Sequence, residues 1–162
     1  MLAQHEDACM DLLLWRHAEA HELHEGQTDL ERALTTKGEK QAQRVAKWLD
    51  HQLPEGARVY CSPAVRTVQT VERLGRPYKV RDALSPGASV QDVLDCVRWP
   101  EARYPVLVVG HQPVLGQVIA QVLGLSGADL SVRKGALWWL RRRIREGQVQ
   151  TVVMSVICPE HL

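Results

Sequence analysis

The chain has no phenylalanine and takes its aromatic bulk from five tryptophans and three tyrosines. Its core must therefore rest on branched aliphatics, with tryptophan as the large filler. No apolar run exceeds six residues, against about 20 for a helix that crosses a bilayer, so a transmembrane helix is excluded. Met1 to Met10 carries His5, Glu6 and Asp7 but no Lys or Arg, and Leu12 to Trp15 is too short for the apolar part of a secretory signal. A cytoplasmic address is the expectation. The four cysteines, Cys9, Cys61, Cys96 and Cys158, lie far apart with no Cys-x-x-Cys pair. Neither a zinc ribbon nor a dithiol redox motif is written here, and four reduced thiols are expected. Charge of one sign is missing too: 20 Lys and Arg against 19 Asp and Glu leave +1. That balance argues against nucleic acid or an anionic membrane as partner, so any anion site must be local.

What the chain does have is 162 residues, 45% of them hydrophobic and 24% charged, with no repeat, low-complexity tract or linker. This is the profile of one globular domain spanning residues 1–162. At this size folding buries about 70% of the unfolded surface, enough for a core without metal or disulfide. Asp11 to Arg16, Ala57 to Cys61 and Tyr104 to Gly110 read as short strands, the first and last apolar on both faces as in a parallel sheet. Thr36 with Glu39 has capping-box spacing, and Ala42, Val45, Ala46, Leu49 and Leu53 recur at helical intervals behind it. Ser62 as N-cap and Pro63 at the first position predict a second helix with Val65, Val68 and Val71 inward and Gly75 as its stop. A third helix is predicted over Ser89 to Val97 and a fourth over Pro113 to Leu123, ended by Gly124. Gly135 to Ile144 and Gln148 to Ile157, around Glu146-Gly147, read as a β-hairpin. Alternating strands and helices give a three-layer α/β/α sandwich with a mostly parallel central sheet and a C-terminal hairpin.

Three polar segments each follow directly on a predicted strand: Arg16-His17, Ser62-Pro63 with Arg66, and His111. Ligands of open α/β sheets bind outside the carboxyl ends of the strands, so parallel neighbours would bring these segments together. Alone, Arg16-His17 reads as a solvated pair, Arg66 as a surface arginine and His111 as a helix cap. Together they form a collection of two guanidiniums and two imidazoles that suits a phosphoryl group. A neutral imidazole at phosphorus can attack it, and neighbouring Arg⁺ keeps the imidazole neutral. His17, His21 and His24, interleaved with Glu19, Glu22 and Glu25, lack the spacing of a zinc helix and read as a solvated loop. No metal or cofactor is expected. Cys61 and Arg66 have four residues between them where a cysteine phosphatase loop needs five, so Cys61 reads as a buried strand residue. Trp48, Trp138 and Trp139 read as packing, and the run Arg141 to Arg145 as a solvated strand edge that discourages edge-to-edge pairing.

In three segments, Arg16-His17-Ala18-Glu19-Ala20, Ser62-Pro63-x-x-Arg66-x-x-Gln69-Thr70 and Val109-Gly110-His111-Gln112-Pro113, the sequence resembles the histidine phosphatase (phosphoglycerate mutase-like) superfamily. It looks most like the short SixA-type phosphohistidine phosphatases, through the Arg-His-Ala-x-Ala form of the first motif and Asp29-x-x-Arg32-x-Leu34-Thr35-x-x-Gly38. The resemblance implies His17 as nucleophile, Arg16 and Arg66 as phosphoryl ligands, and His111 as a further hydrogen-bond donor. It also places Arg32 at the pocket. Glu19 is assigned with Arg32 to substrate binding, and Glu19 and Asp29 are the nearest carboxylates if a leaving group needs a proton. Only about forty residues separate Arg66 from Gly110, too few for a cap, so an open site is expected. The implied substrate is phosphohistidine on a phosphotransfer or signalling protein. A phosphatase for a small metabolite and a non-catalytic phosphoprotein-binding module stand as alternatives, and the oligomeric state is not written in the sequence.

Overall fold

Alternation along the strands decides which layer each residue joins. The computed structural model of the chain describes residues 8–125, 127 and 129–162, so the expectation drawn from Met1 to Asp7 lies outside it. The strands are β1 (Cys9–Arg16), β2 (Arg58–Cys61), β3 (Lys79–Val80), β4 (Val106–Gly110), β5 (Leu137–Arg145) and β6 (Gln148–Ile157). The helices are α1 (Thr36–Gln52), α2 (Val65–Glu72), α3 (Val90–Val97) and α4 (Val114–Val122). The sheet order is β3-β2-β4-β1-β5-β6, with β3, β2, β4 and β1 parallel and β5 and β6 antiparallel at one side. The expected sandwich and hairpin are both present.

Successive strand side chains point to opposite faces, so Leu12 and Leu14 of β1 with Val106 and Val108 of β4 pack against α3 and α4. Leu13 and Trp15 with Leu107 and Val109 pack against Val45, Ala46 and Leu49 of α1 and Val71 of α2. All eight strand residues are fully buried, as the central strands of a parallel sheet require. Trp48 meets Trp139 edge-on at 6.4 Å between centroids on this second face.

Four local expectations are corrected. The cap of α1 is Thr35, whose hydroxyl accepts Gly38 N–H at 3.0 Å, because Thr35 N–H is already held by Glu19 O at 3.0 Å. The helix thus starts one residue earlier than a Thr36–Glu39 box would allow. Ser62 does not cap α2: its N–H bonds Val109 O and prolongs the β2–β4 ladder, leaving Ala64 as the N-cap. The inward residues of α2 are Arg66, Thr67, Thr70 and Val71, with Val65 and Val68 only half-buried, because this face meets the polar strand ends as well as the core. Nor is the run Arg141 to Arg145 at the sheet edge: β5 lies between β1 and β6. Asp11 accepts Arg141 Nε and Nη2 at 2.6 and 2.8 Å and Trp139 Nε1 at 3.1 Å. At the hairpin turn Glu146 and Gly147 have φ of 51° and 75°, the pair of positive values that a two-residue primed turn requires. No helix among the described residues is long and apolar enough to cross a membrane.

Candidate active site

The parallel register fixes the two histidines. Arg16 of β1 stands opposite Gly110 of β4, so His17 and His111 emerge side by side, ring centroids 5.4 Å apart. His17 N–H continues the ladder to Gly110 O at 3.1 Å. β2 pairs with the other side of β4, which brings Ser62 and the start of α2 to the same level. The three segments singled out in the sequence therefore converge at one end of the sheet.

The His17 ring is oriented by its own backbone. Nδ1 lies 2.7 Å from Ala18 O, and since a carbonyl can only accept, Nδ1 carries the proton and Nε2 keeps a lone pair. Burial, with Arg66, Arg16 and Arg32 around the ring, outweighs the Ala18 hydrogen bond and pushes the His17 pKa down to about 4. The imidazole is neutral at physiological pH. Ala18 N–H is held by Thr70 Oγ1 at 3.1 Å, and that hydroxyl donates to Arg66 O at 2.7 Å, which ties the loop after β1 to α2.

Arg16 donates Nη1 to Val132 O at 2.8 Å, from the segment leading into β5. Its pKa is lowered by burial and by the charge of Arg66. Arg66 is almost fully buried and donates Nη1 and Nη2 to Asp29 O and Oδ2 at 2.8 and 3.0 Å. Arg32 donates Nε to His21 O and Nη1 to Asp29 Oδ1 at 2.8 and 3.1 Å. Among the described residues, three buried side-chain polar atoms lack a protein partner: Arg16 Nε, Arg66 Nε and His111 Nδ1. Buried polar groups are almost always satisfied, and these three orphans belong to three of the four residues gathered here. Guanidinium N–H groups are donors of the kind an oxyanion accepts.

The two carboxylates part company. Asp29 lies on the arginines, and although burial alone would raise its pKa, hydrogen bonds from Arg66 and Arg32 hold it below the ordinary range. Glu19 instead accepts the Thr35 hydroxyl at 2.8 Å at the start of α1, and its N–H is held by Gln41 Oε1 at 3.0 Å. There it secures the loop between β1 and α1, which Leu34 N–H closes on Gln69 Oε1 at 2.7 Å. The chain between Arg66 and Gly110 goes into α2, β3, a 3-10 turn at Asp82–Leu84 and α3, and α3 packs on the sheet beside α4. Thr67, Thr70 and the Val132 carbonyl carried no role in the sequence reading. Thr70 stood within a quoted motif, whereas nothing in the sequence marks a backbone carbonyl.

Residues 12–88 match the family model for the histidine phosphatase superfamily (branch 1). The chain is 31% identical over 121 residues to phosphohistidine phosphatase SixA of Escherichia coli K12, covering 70% of this chain and 74% of that protein. The putative phosphohistidine phosphatase SixA of Nakamurella multipartitia superposes with a TM-score of 0.76 at 29% identity, over 93% of this chain and 96% of that one. The protein histidine phosphatase SixA complexed with tungstate gives 0.75 at 26% identity, over 94% and 99%. Sequence, fold and the convergence of Arg16, His17, Arg66 and His111 agree: the chain belongs to the histidine phosphatase superfamily and is a phosphatase of the SixA-like kind.

Proposed function

We propose that the protein hydrolyses phosphohistidine carried on another protein, with His17 as a transient phosphoryl acceptor. The observation that carries this reading is the geometry of His17, a buried ring whose Nδ1 is bound to Ala18 O so that Nε2 keeps its lone pair, beside His111 at 5.4 Å between centroids; burial and the charges of Arg66, Arg16 and Arg32 favour its neutral form. Nε2 attacks phosphorus, the bond from phosphorus to the substrate imidazole breaks, and the phosphoryl group passes to His17. Water then attacks phosphorus, the P–Nε2 bond breaks, and inorganic phosphate leaves. Arg16 Nε, Arg66 Nε and His111 Nδ1 offer hydrogen bonds to the phosphoryl oxygens as charge builds. Charged, forked donors of this kind are the strong ones.

The leaving group sets the substrate class. An alkyl phosphate expels an alkoxide that needs a proton, and the carboxylate against the arginines, Asp29, is held ionised. A phosphoimidazole with a proton on its other ring nitrogen leaves as neutral imidazole and needs no such acid. A substrate fixed to a protein surface also suits a site with no cap built between α2 and β4. The SixA names of the relatives support the same reading.

The test is a time course on a histidine-phosphorylated protein and on p-nitrophenyl phosphate, in EDTA, for wild type and His17→Ala. Preferential loss of phosphohistidine, abolished in the variant, is expected. Full activity of His17→Ala would overturn the mechanism, and turnover of the ester alone would overturn the substrate class.

A further inference from the structure

His111 acts on the phosphoryl group through whichever nitrogen is free, and what that nitrogen can do depends on its proton. Its Nε2 lies 2.7 Å from Ser62 Oγ, and its Nδ1 is buried with no partner. Both residues are closed off from solvent, Ser62 at 0% and His111 at 3% exposure. Burial, with His17, Arg66 and Arg16 nearby, outweighs the attraction of Asp29 and leaves His111 neutral, its pKa down at about 3. A neutral ring has one proton, and two tautomers compete.

The partners of Ser62 decide between them. Its hydroxyl has one hydrogen and two lone pairs, and one lone pair already accepts Ala64 N–H at 3.2 Å. If His111 Nε2 carried the proton and donated it to Ser62, the hydroxyl hydrogen would be stranded in a buried place. His111 Nδ1 would then turn a bare lone pair toward a site built for an anion. If Ser62 donates to Nε2 instead, every polar atom of the pair is satisfied except Nδ1–H, which is the donor a phosphoryl oxygen needs. The first arrangement leaves two buried polar groups unpaired and the second only one, and an unmade buried hydrogen bond is costly, so the second arrangement prevails.

We infer that Ser62 is a positioning residue: its hydroxyl, held by Ala64 N–H, donates to His111 Nε2 and thereby fixes His111 as the Nδ1–H tautomer that faces the phosphoryl group. This rests on the proposed role of His111 as phosphoryl ligand. The fold supplies the relay for a structural reason already given. Ser62 extends the β2–β4 ladder instead of capping α2, so its hydroxyl is directed across to the residue that follows β4.

The test reads the tautomer directly. In the free, 15N-labelled protein, long-range proton–nitrogen correlation separates protonated from bare ring nitrogens. The expected result for His111 is a protonated Nδ1 and a bare Nε2 in wild type and in Ser62→Thr, and loss of that single assignment in Ser62→Ala. On phosphohistidine, Ser62→Ala is expected to lose about tenfold or more in kcat with KM little changed, and Ser62→Thr to recover most of it. A serine that only caps Ala64 would lower the melting temperature on removal but leave the tautomer as it was, which would overturn the inference. A wild-type His111 protonated on Nε2 would overturn it without any variant. Both outcomes are independent of turnover, so failure of the substrate proposal is seen separately.

Discussion

Acidification tests whether the two histidines are truly held neutral, because it converts their burial into stability. In the folded protein burial depresses the His17 pKa to about 4 and that of His111 to about 3, whereas in the unfolded chain both titrate near 6.5. Above pH 6.5 neither state binds the extra proton and the difference contributes nothing. As pH falls below 6.5 the unfolded chain takes up protons that the folded protein refuses, so stability drops until the folded pKa values are reached. At pH 5 the two states differ by a unit and a half of titration. At about 1.4 kcal/mol per unit this is about 2 kcal/mol for each histidine, or about 4 for the pair. That is a large part of a typical stability of 5–15 kcal/mol, and the window lies above the range where ordinary carboxylates titrate. The assay is urea unfolding at pH 7.5 and pH 5 in phosphate-free buffer, for wild type, His17→Asn and His111→Asn. Wild type should lose about 4 kcal/mol over that interval and each variant about half as much. If the variants lose as much as wild type, the imidazoles are not the groups being kept neutral and the argument for a nucleophilic His17 loses its electrostatic basis.

Three further outcomes follow from contacts described above. Arg66→Lys keeps the charge but gives up the fork that reaches Asp29 and presents Nε, so kcat/KM should fall by about 10–100-fold, the worth of about 1.5–3 kcal/mol of charged hydrogen bonding; unchanged kinetics would remove Arg66 from the phosphoryl site. Gly38 packs so tightly on the loop after β1 that an added Cβ would collide with the Glu19 carbonyl oxygen. Gly38→Ala should therefore cost about 1–3 kcal/mol, read as a lower urea midpoint, and a neutral result would mean the loop yields freely. Asp11→Ala should cost about 1–3 kcal/mol by leaving Trp139 Nε1 and Arg141 without their acceptor, with activity at saturating substrate preserved; lost turnover without lost stability would contradict a purely structural role.

The sequence carried the three segments at the strand ends because each places a chemistry-bearing residue directly after an apolar run, and that pattern survives any error in helix boundaries. It carried less of α2. Hydrophobic period alone puts Val65, Val68 and Val71 inward, but Thr67 and Thr70 are buried because their hydroxyls meet backbone carbonyls of Ser62, Ala64 and Arg66. A satisfied threonine is as acceptable in the interior as a valine, and periodicity cannot see the partner. The interior position of the basic run on β5 is hidden from the sequence for a related reason. An arginine on an interior strand is tolerable once Asp11, 130 residues away in sequence, accepts from its Nε and Nη2, and pairing at that range leaves no local mark. The same holds for Ser62, whose serine-proline context signals a helix start while its backbone N–H belongs to the sheet.

The β1–β4 and β2–β4 pairings have a consequence for how the protein comes to exist at all. Leu12 finds Val106, Arg58 finds Val106 from the other side, and Arg16 N–H bonds Ala136 O from the entrance to β5. No short stretch of chain holds His17, Arg66 and His111 together. The site appears only once contacts of high sequence separation have closed, late in folding and slow relative to local helix formation. Conversely, an oxyanion that bridges these residues binds only the finished sheet. At a hundred times its dissociation constant it adds about 2.7 kcal/mol to the stability of the whole fold. Thermal shift in phosphate or tungstate is thus a measure of global folding as much as of affinity.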